Sequence, residues 1–237
     1  MIETDTIAAL SSGRPPSGIA VVRLSGPRAA AAAGTLAGGP VPWRRPVLRT
    51  LRDPDTGAAI DRGLVLAFDG PGSATGEDVC EFHVHGGPAV VEALMGALVA
   101  LPGVRAAEPG EFTRRAFLNG RMDLTEVEGL ADLIAAETEA QRRQALRLAS
   151  GILRRTAEAW RDRLIAVRAE VEAALDFADE GDVGEAVPAG APAAVERLLA
   201  EIRDALDDAR AGERLREGFR VAIVGPPNAG KSSLLNA

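Results

Sequence analysis

Apolar residues fall into two textures along this chain: short β-branched runs punctuated by Gly and Pro, then positions recurring every three or four residues. The runs Thr6 to Leu10 (TIAAL), Ile19 to Gly26 (IAVVRLSG), Gly63 to Phe68 (GLVLAF) and Val79 to Gly86 (VCEFHVHG) have the length and side chains of strands. The stretch PAVVEALMGALVAL opens on Pro88, a residue suited to a first helical turn, and predicts a helix packed on that sheet. Residues 1–118 therefore read as an α+β domain.

From Asn119 to Glu217 the pattern is helical. Thr125 with Glu128, and Thr138 with Gln141, have the spacing of capping boxes. Val127, Leu130, Leu133 and Ile134 begin an apolar stripe that Trp160, Leu164, Val167, Val171 and Leu175 continue, as two long helices or one interrupted near Gly151. Asp179 to Pro192 (DEGDVGEAVPAGAP) has the composition of a linker. Beyond it Val195, Leu198, Leu199, Ile202, Ala205, Leu206 and Ala209 predict an amphipathic helix ending near Gly212. Stripes this wide must be covered, by one another or by sequence beyond Ala237.

Composition narrows the class. With 46% apolar and 26% charged residues and a net charge of -7, the chain reads as globular, without a global basic field. Cys80 is the single cysteine, so no internal disulfide is expected and a reducing cytoplasm suits it. The acidic start MIETDTIAAL does not resemble a secretory leader, and the longest apolar stretch, Ala89 to Leu101, is interrupted by Glu92. A cytoplasmic protein with no membrane association is the expectation. The 27 basic residues comprise 26 arginines and one lysine, Lys231.

That lysine lies in FRVAIVGPPNAGKSSLLNA (Phe219 to Ala237), where Gly225, Gly230, Lys231 and Ser232 fit G-x-x-x-x-G-K-[ST] after an apolar run. Such a loop turns backbone N–H groups toward phosphates, with Lys231 reaching the outer phosphates and the Ser232 hydroxyl holding Mg²⁺. Asn228, read from the residues alone, suits a turn. Hydrolysis also needs an Asp for Mg²⁺ and a water-positioning group on later strands, and the chain stops six residues after Lys231. No catalytic residue is identified within it, and weak nucleotide binding and no hydrolysis by the chain alone are expected. His83 and His85 share a strand face with Glu81, but the supply of His and Cys is too small to complete a zinc set, so His85 to Pro88 reads as the turn into a helix.

The segments IAVVRLSGP, TGEDVCEFHVHGGP, EPGEFTRRAFLNGRMDLTEVEGLADLI and DFADE, followed by GPPNAGKSSLLNA, together resemble the MnmE (TrmE) family of tRNA modification GTPases over essentially the whole chain. The resemblance implies an N-terminal folate-binding, dimerising domain (1–118), the first half of a helical domain (119–217) and the first strand and P-loop of an α/β GTPase domain (218–237). It implies GTP as substrate, held by Asn228, Ala229, Gly230, Lys231, Ser232 and Ser233, with Asn228 ligating K⁺ and Ser232 ligating Mg²⁺. It implies 5-formyl- or methylene-tetrahydrofolate bound by Arg23, Glu81 and Arg121. A carboxylate such as Glu81 suits the donor edge of a pterin, and arginines suit its carbonyl and the glutamyl carboxylate. Pro226 and Arg121 depart from the family's usual residues, a polar side chain and Lys. The implied activity, with a flavin-dependent partner (MnmG, also called GidA) in a heterotetramer, adds a carboxymethylaminomethyl-type group to the wobble uridine of certain tRNAs. The alternatives are a folate-binding dimerisation module and a generic ribosome-assembly GTPase, the latter disfavoured by PGEFTRRAFLNGRMDL.

Overall fold

Alternation of buried and more accessible residues along the central strands gives the sheet one apolar and one polar face. The computed structural model describes residues 5–176, 188, 190–217, 222, 224–226 and 229–235, with backbone only at 209–217 and 235. Strands β1 (Thr6–Leu10), β2 (Ser17–Ser25), β3 (Val47–Arg52), β4 (Ala59–Phe68), β5 (Val79–Gly86) and β6 (Val104–Ala106) pair in the order β3-β4-β5-β2-β1-β6. Every pair is antiparallel except β1 with β6. Ala20, Val22 and Leu24 of β2, with Cys80, Phe82 and Val84 of β5, form the buried side. They pack into one core with Ala29, Ala33 and Leu36 of α1 (Ala29–Ala37) and Leu94 and Leu98 of α2 (Pro88–Val99). Pro88 does occupy the first turn of α2. The intervening residues Val21, Arg23, Glu81 and His83 point to the other face, as period two requires.

The sequence reading recovered β1 and β5 with their ends and parts of β2 and β4. It passed over β3, which has one fully buried residue, Leu51, and the three-residue β6. It also passed over α1, whose run of alanines offers little polar contrast from which to read a stripe.

A buried charge cluster ties this sheet to α3 (Glu111–Leu118). Arg115 is 2% exposed, yet it carries a guanidinium. Its Nη2 donates to Asp5 Oδ1 at 2.8 Å and to Glu111 Oε1 at 3.0 Å, and its Nη1 donates to the Asp5 carbonyl at 3.0 Å and to Glu77 Oε1 at 3.2 Å. Arg105 bonds both Glu111 and Asp5, and the Glu108 amide donates to Glu111 Oε2 at 2.8 Å. Burial works against the Arg115 charge, but the hydrogen bonds to Glu111 and Asp5 outweigh it and its pKa is raised. Hydrogen bonding from Arg105, against the opposing effect of burial, holds the Glu111 carboxyl down at about 2.

Two units divide the chain, Met1–Val127 and Glu128–Ala237. The division falls within α4 (Leu124–Ala135), which is followed by α5 (Glu139–Ala149), α6 (Ile152–Asp176), α7 (Gly190–Glu217) and α8 (Lys231–Leu235). The expected capping box at Thr125 and Glu128 is displaced by two residues. Asp123 Oδ1 accepts from the Glu126 amide at 2.8 Å, and Glu126 Oε2 accepts from the Asp123 amide at 2.8 Å, because α4 starts at Leu124 and Asp123 is the residue that faces its freed N–H groups. The Thr138 and Gln141 box caps α5 as expected. The long helical region breaks twice, before Glu139 and at Gly151, whose φ of 69° favours glycine. Gly129 lets α4 approach the end of α5, since a Cβ there would meet the backbone nitrogen of Ala149. Helix α7 starts inside the expected linker and passes Gly212, and the rest of that linker lies outside the described residues apart from Pro188. Arg163 of α6 makes a two-pronged contact with Glu201 of α7, at 2.8 and 3.0 Å, on the exposed side of the two helices. Leu164, Ile165, Leu175, Leu199 and Leu206 remain exposed on these helices.

Removing the guanidinium takes a shared partner from Asp5, Glu77 and Glu111, the first and last of which keep Arg105, so Arg115→Met is expected to lower unfolding stability by about 3 kcal/mol in urea denaturation. Glu111 titrates at about 2 when folded against an ordinary value of 4.5. Its stabilisation is therefore complete above the unfolded value and is lost as pH falls from about 5 toward 2. Denaturation midpoints measured across that window should drop, and the Glu111→Gln variant should show a shallower drop.

Candidate functional site on the open face of the sheet

Arg23 of β2 and Glu81 of β5 are directly opposite one another in the antiparallel register. Arg23 Nε donates to Glu81 Oε1 at 2.8 Å, and its Nη2 lies 2.8 Å from the same oxygen. The guanidinium carbon stands 5.9 Å from the centroid of the Phe112 ring on α3, within range of a cation–π contact. Glu81 Oε2 is met by His83 Nε2 at 3.2 Å. The carboxylate is 16% exposed and its two partners are each 32% exposed, so the group is sheltered but reachable from solvent.

Beside this pair runs the loop joining β4 to β5. Ser25, two residues along β2 from Arg23, donates from Oγ to Glu77 Oε2 at 2.6 Å and lies 2.6 Å from the Thr75 hydroxyl. Asn119 Nδ2 donates to the Thr75 carbonyl at 2.8 Å, and Arg121 Nε donates to the Ser73 carbonyl at 3.2 Å. Gly76 has a φ of 80°, which favours glycine, and a Cβ there would press to 3.1 Å from Arg121 Cγ and Asn119 Cβ. Arg23 and Glu81 are thus brought together, while the exposed Arg121 is anchored to the neighbouring loop rather than to either of them.

The two histidines part company. His83 turns to Glu81, whereas His85 Nδ1 lies 2.9 Å from Asp61 Oδ1, and its amide donates to Asp61 Oδ2 at 2.8 Å. Among the described residues, no group of three or more His, Cys, Asp or Glu is placed to hold a metal ion. Burial, with Asp78 and Glu81 adding to it, pushes the Cys80 thiol up to about 12, which keeps it un-ionised and inert. Sequence reasoning missed Ser25, Glu77, Phe112 and Arg115 as supports of the site, and treated His83 only as a metal candidate. The period-two pattern of β5 already placed His83 beside Glu81 on one face. Nothing local in sequence pairs Ser25 with a loop some fifty residues away.

The glycine-rich stretch lies in the other unit. Lys231 Nζ donates to the Gly225 carbonyl at 2.9 Å and to the Pro226 carbonyl at 2.7 Å, folding its ammonium back over the loop. Gly230 has φ of 78°, and the Ser232 and Ser233 side chains are exposed in the short α8, as is Ala229 before it. Asn228 and most of the expected strand before the loop lie outside the described residues.

Residues 6–121 match the family model described as GTP-binding protein TrmE N-terminus, and residues 124–231 match the MnmE helical domain. The tRNA modification GTPase MnmE of Azorhizobium caulinodans is 60% identical over 233 residues, covering 98% of this chain and 54% of that protein. Its counterpart in Methylobacterium sp. is 60% identical over 236 residues (99% and 54%), and that of Parvibaculum lavamentivorans 58% over 236 (98% and 53%). The chain spans about half the length of the curated relatives it matches. Two family models laid end to end across the sheet unit and the helices, with relatives this similar, establish that the chain belongs to the MnmE (TrmE) family of tRNA modification GTPases.

Proposed function

We propose that the open sheet face binds a reduced folate for a tRNA modification reaction, with Glu81 taking the donor edge of the pterin and Arg23 fixing Glu81. The observation that carries this is the Arg23–Glu81 pair, sheltered on a sheet face that the core helices leave uncovered. With Arg23 closed on Oε1, the held carboxylate keeps Oε2 as an acceptor for an amino or N–H donor of the kind an aminopyrimidine edge presents. Arg121, tethered by the Ser73 carbonyl, is left with further donors for an anionic tail. The fit to 5-formyl- or methylene-tetrahydrofolate rests on this donor and acceptor set.

In the whole protein, the tRNA modification named for the relatives is proposed to be the addition of a carboxymethylaminomethyl-type group at the wobble uridine, with a flavin-dependent partner and folate as the one-carbon donor. GTP hydrolysis drives its conformational cycle. Asn228, Ala229, Gly230, Lys231, Ser232 and Ser233 would hold the nucleotide, Asn228 with K⁺ and Ser232 with Mg²⁺. The domain limits proposed are 1–118, 119–217 and 218–237. Exposed Leu48 and Leu64, paired across β3 and β4, support a homodimer through the sheet unit. No helix among the described residues is long and apolar enough to cross a membrane. The cytoplasmic setting proposed for the reaction rests on the tRNA modification named for the relatives. A second reading, a folate-binding dimerisation module acting without hydrolysis, is favoured by the confinement of Arg23, Glu81 and Arg121 to one unit.

Calorimetry of this chain with 5-formyltetrahydrofolate should show binding that Glu81→Ala weakens at least tenfold, while the melting temperature stays near wild type. No binding by the wild type would overturn the folate reading. In the whole protein, Lys231→Ala should lower GTP turnover by about a hundredfold or more with folate binding retained, and unchanged turnover would overturn the assignment of the loop.

A further inference from the structure

Glu81 has two oxygens, and the structure treats them differently. Both the Nε and the Nη2 of Arg23 close on Oε1, at 2.8 Å each. Only Oε2 is left for an incoming donor, and the side chain beside it is His83, 3.2 Å away through Nε2. The imidazole is held there by the strand itself. His83 is two residues from Glu81 on the same face of β5, and its cross-strand neighbours are Val21 of β2 and Leu64 of β4. A carboxylate gripped only at Oε1 can still swing about χ3 within the slack of those bonds, because this terminal sp³–sp² torsion is intrinsically broad. Gripped at both oxygens it has one plane. The lone pair of Oε2 that His83 leaves open then faces a fixed direction, along which one N–H donor of a planar ligand edge must approach.

We infer that His83 is a positioning residue for the ligand of Glu81: its Nε2–H donates to Oε2, locks the carboxylate plane, and thereby sets selectivity for a ligand that presents an amino donor at its edge. This inference rests on the folate reading above. It differs from that reading in naming His83, which touches Glu81 rather than the ligand's reacting atoms. Because His83 is about one-third exposed on a sheet surface, its replacement is tolerated by the fold.

The test measures binding of 5-formyltetrahydrofolate, and of the analogue whose pterin amino group is replaced by methyl, to wild type, His83→Leu, His83→Gln and Glu81→Ala. His83→Leu keeps the bulk between Val21 and Leu64 but removes the donor, and His83→Ala serves if Leu disturbs the melting temperature. Expected results are an approximately tenfold loss of affinity in His83→Leu, recovery to within about threefold of wild type in His83→Gln, and a preference for amino over methyl that shrinks about tenfold in His83→Leu. A merely structural role would lower affinity for both ligands alike. Equal loss in His83→Gln and His83→Leu, or an unchanged preference, overturns the inference. Wild-type affinity in His83→Leu alongside loss in Glu81→Ala overturns it too, while leaving the folate reading standing. Absence of wild-type binding removes both.

Discussion

The guanidinium of Arg115, enclosed by Asp5, Glu77 and Glu111, is the constraint on which the sheet unit's polar side depends. Such a group is costly to bury, and it is held only because carboxylates from three parts of the chain converge on it. Asp5 leads into β1, Glu77 belongs to the loop before β5, and Glu111 opens α3. One cation therefore fixes where three separate segments meet. The consequences run outward: Glu77, fixed by Arg115, takes the Ser25 hydroxyl, and Ser25 lies two residues from Arg23. The same loop receives Asn119 and Arg121 from the end of α3.

The open face gives that constraint its use. Alternation sends Val22, Leu24, Cys80 and Phe82 into the core and leaves Arg23, Glu81 and His83 on the far side, so burial and chemistry are separated by the pleat. The two ionic groupings differ in kind. Around Arg115 the charges are enclosed and structural. Around Glu81 they are sheltered yet reachable, which lets a ligand replace solvent at Oε2 without dismantling the core. Cys80, adjacent to Glu81 in sequence, is on the core side and takes no part.

Much of this was legible in the chain. The strands β1 and β5 stood out because their side chains are β-branched or alternate cleanly, and Pro88 marked the start of α2. The Thr138 and Gln141 cap was readable because both halves of the motif are present. The start of α4 was misplaced because Thr125 and Asp123 both satisfy a local capping pattern, and only the backbone decides which N–H groups are free. The edge strand β3 and alanine-rich α1 carry too little contrast for periodicity to register. Arg23 and Glu81 came from the family resemblance, and their pairing from a strand register that no local pattern specifies. The Arg115 cluster joins residues about a hundred positions apart, so charge counting along the chain could not reveal it.

The central claim is that the Arg23–Glu81 pair on the open sheet face is a pterin-binding site. A crystal structure of the chain grown with 5-formyltetrahydrofolate tests it most directly. The account predicts the amino edge of the pterin on Glu81 Oε2, Arg23 still closed on Oε1, and the glutamyl tail running toward Arg121. Density for the ligand anywhere else, with the Arg23–Glu81–His83 group left to solvent, would contradict it.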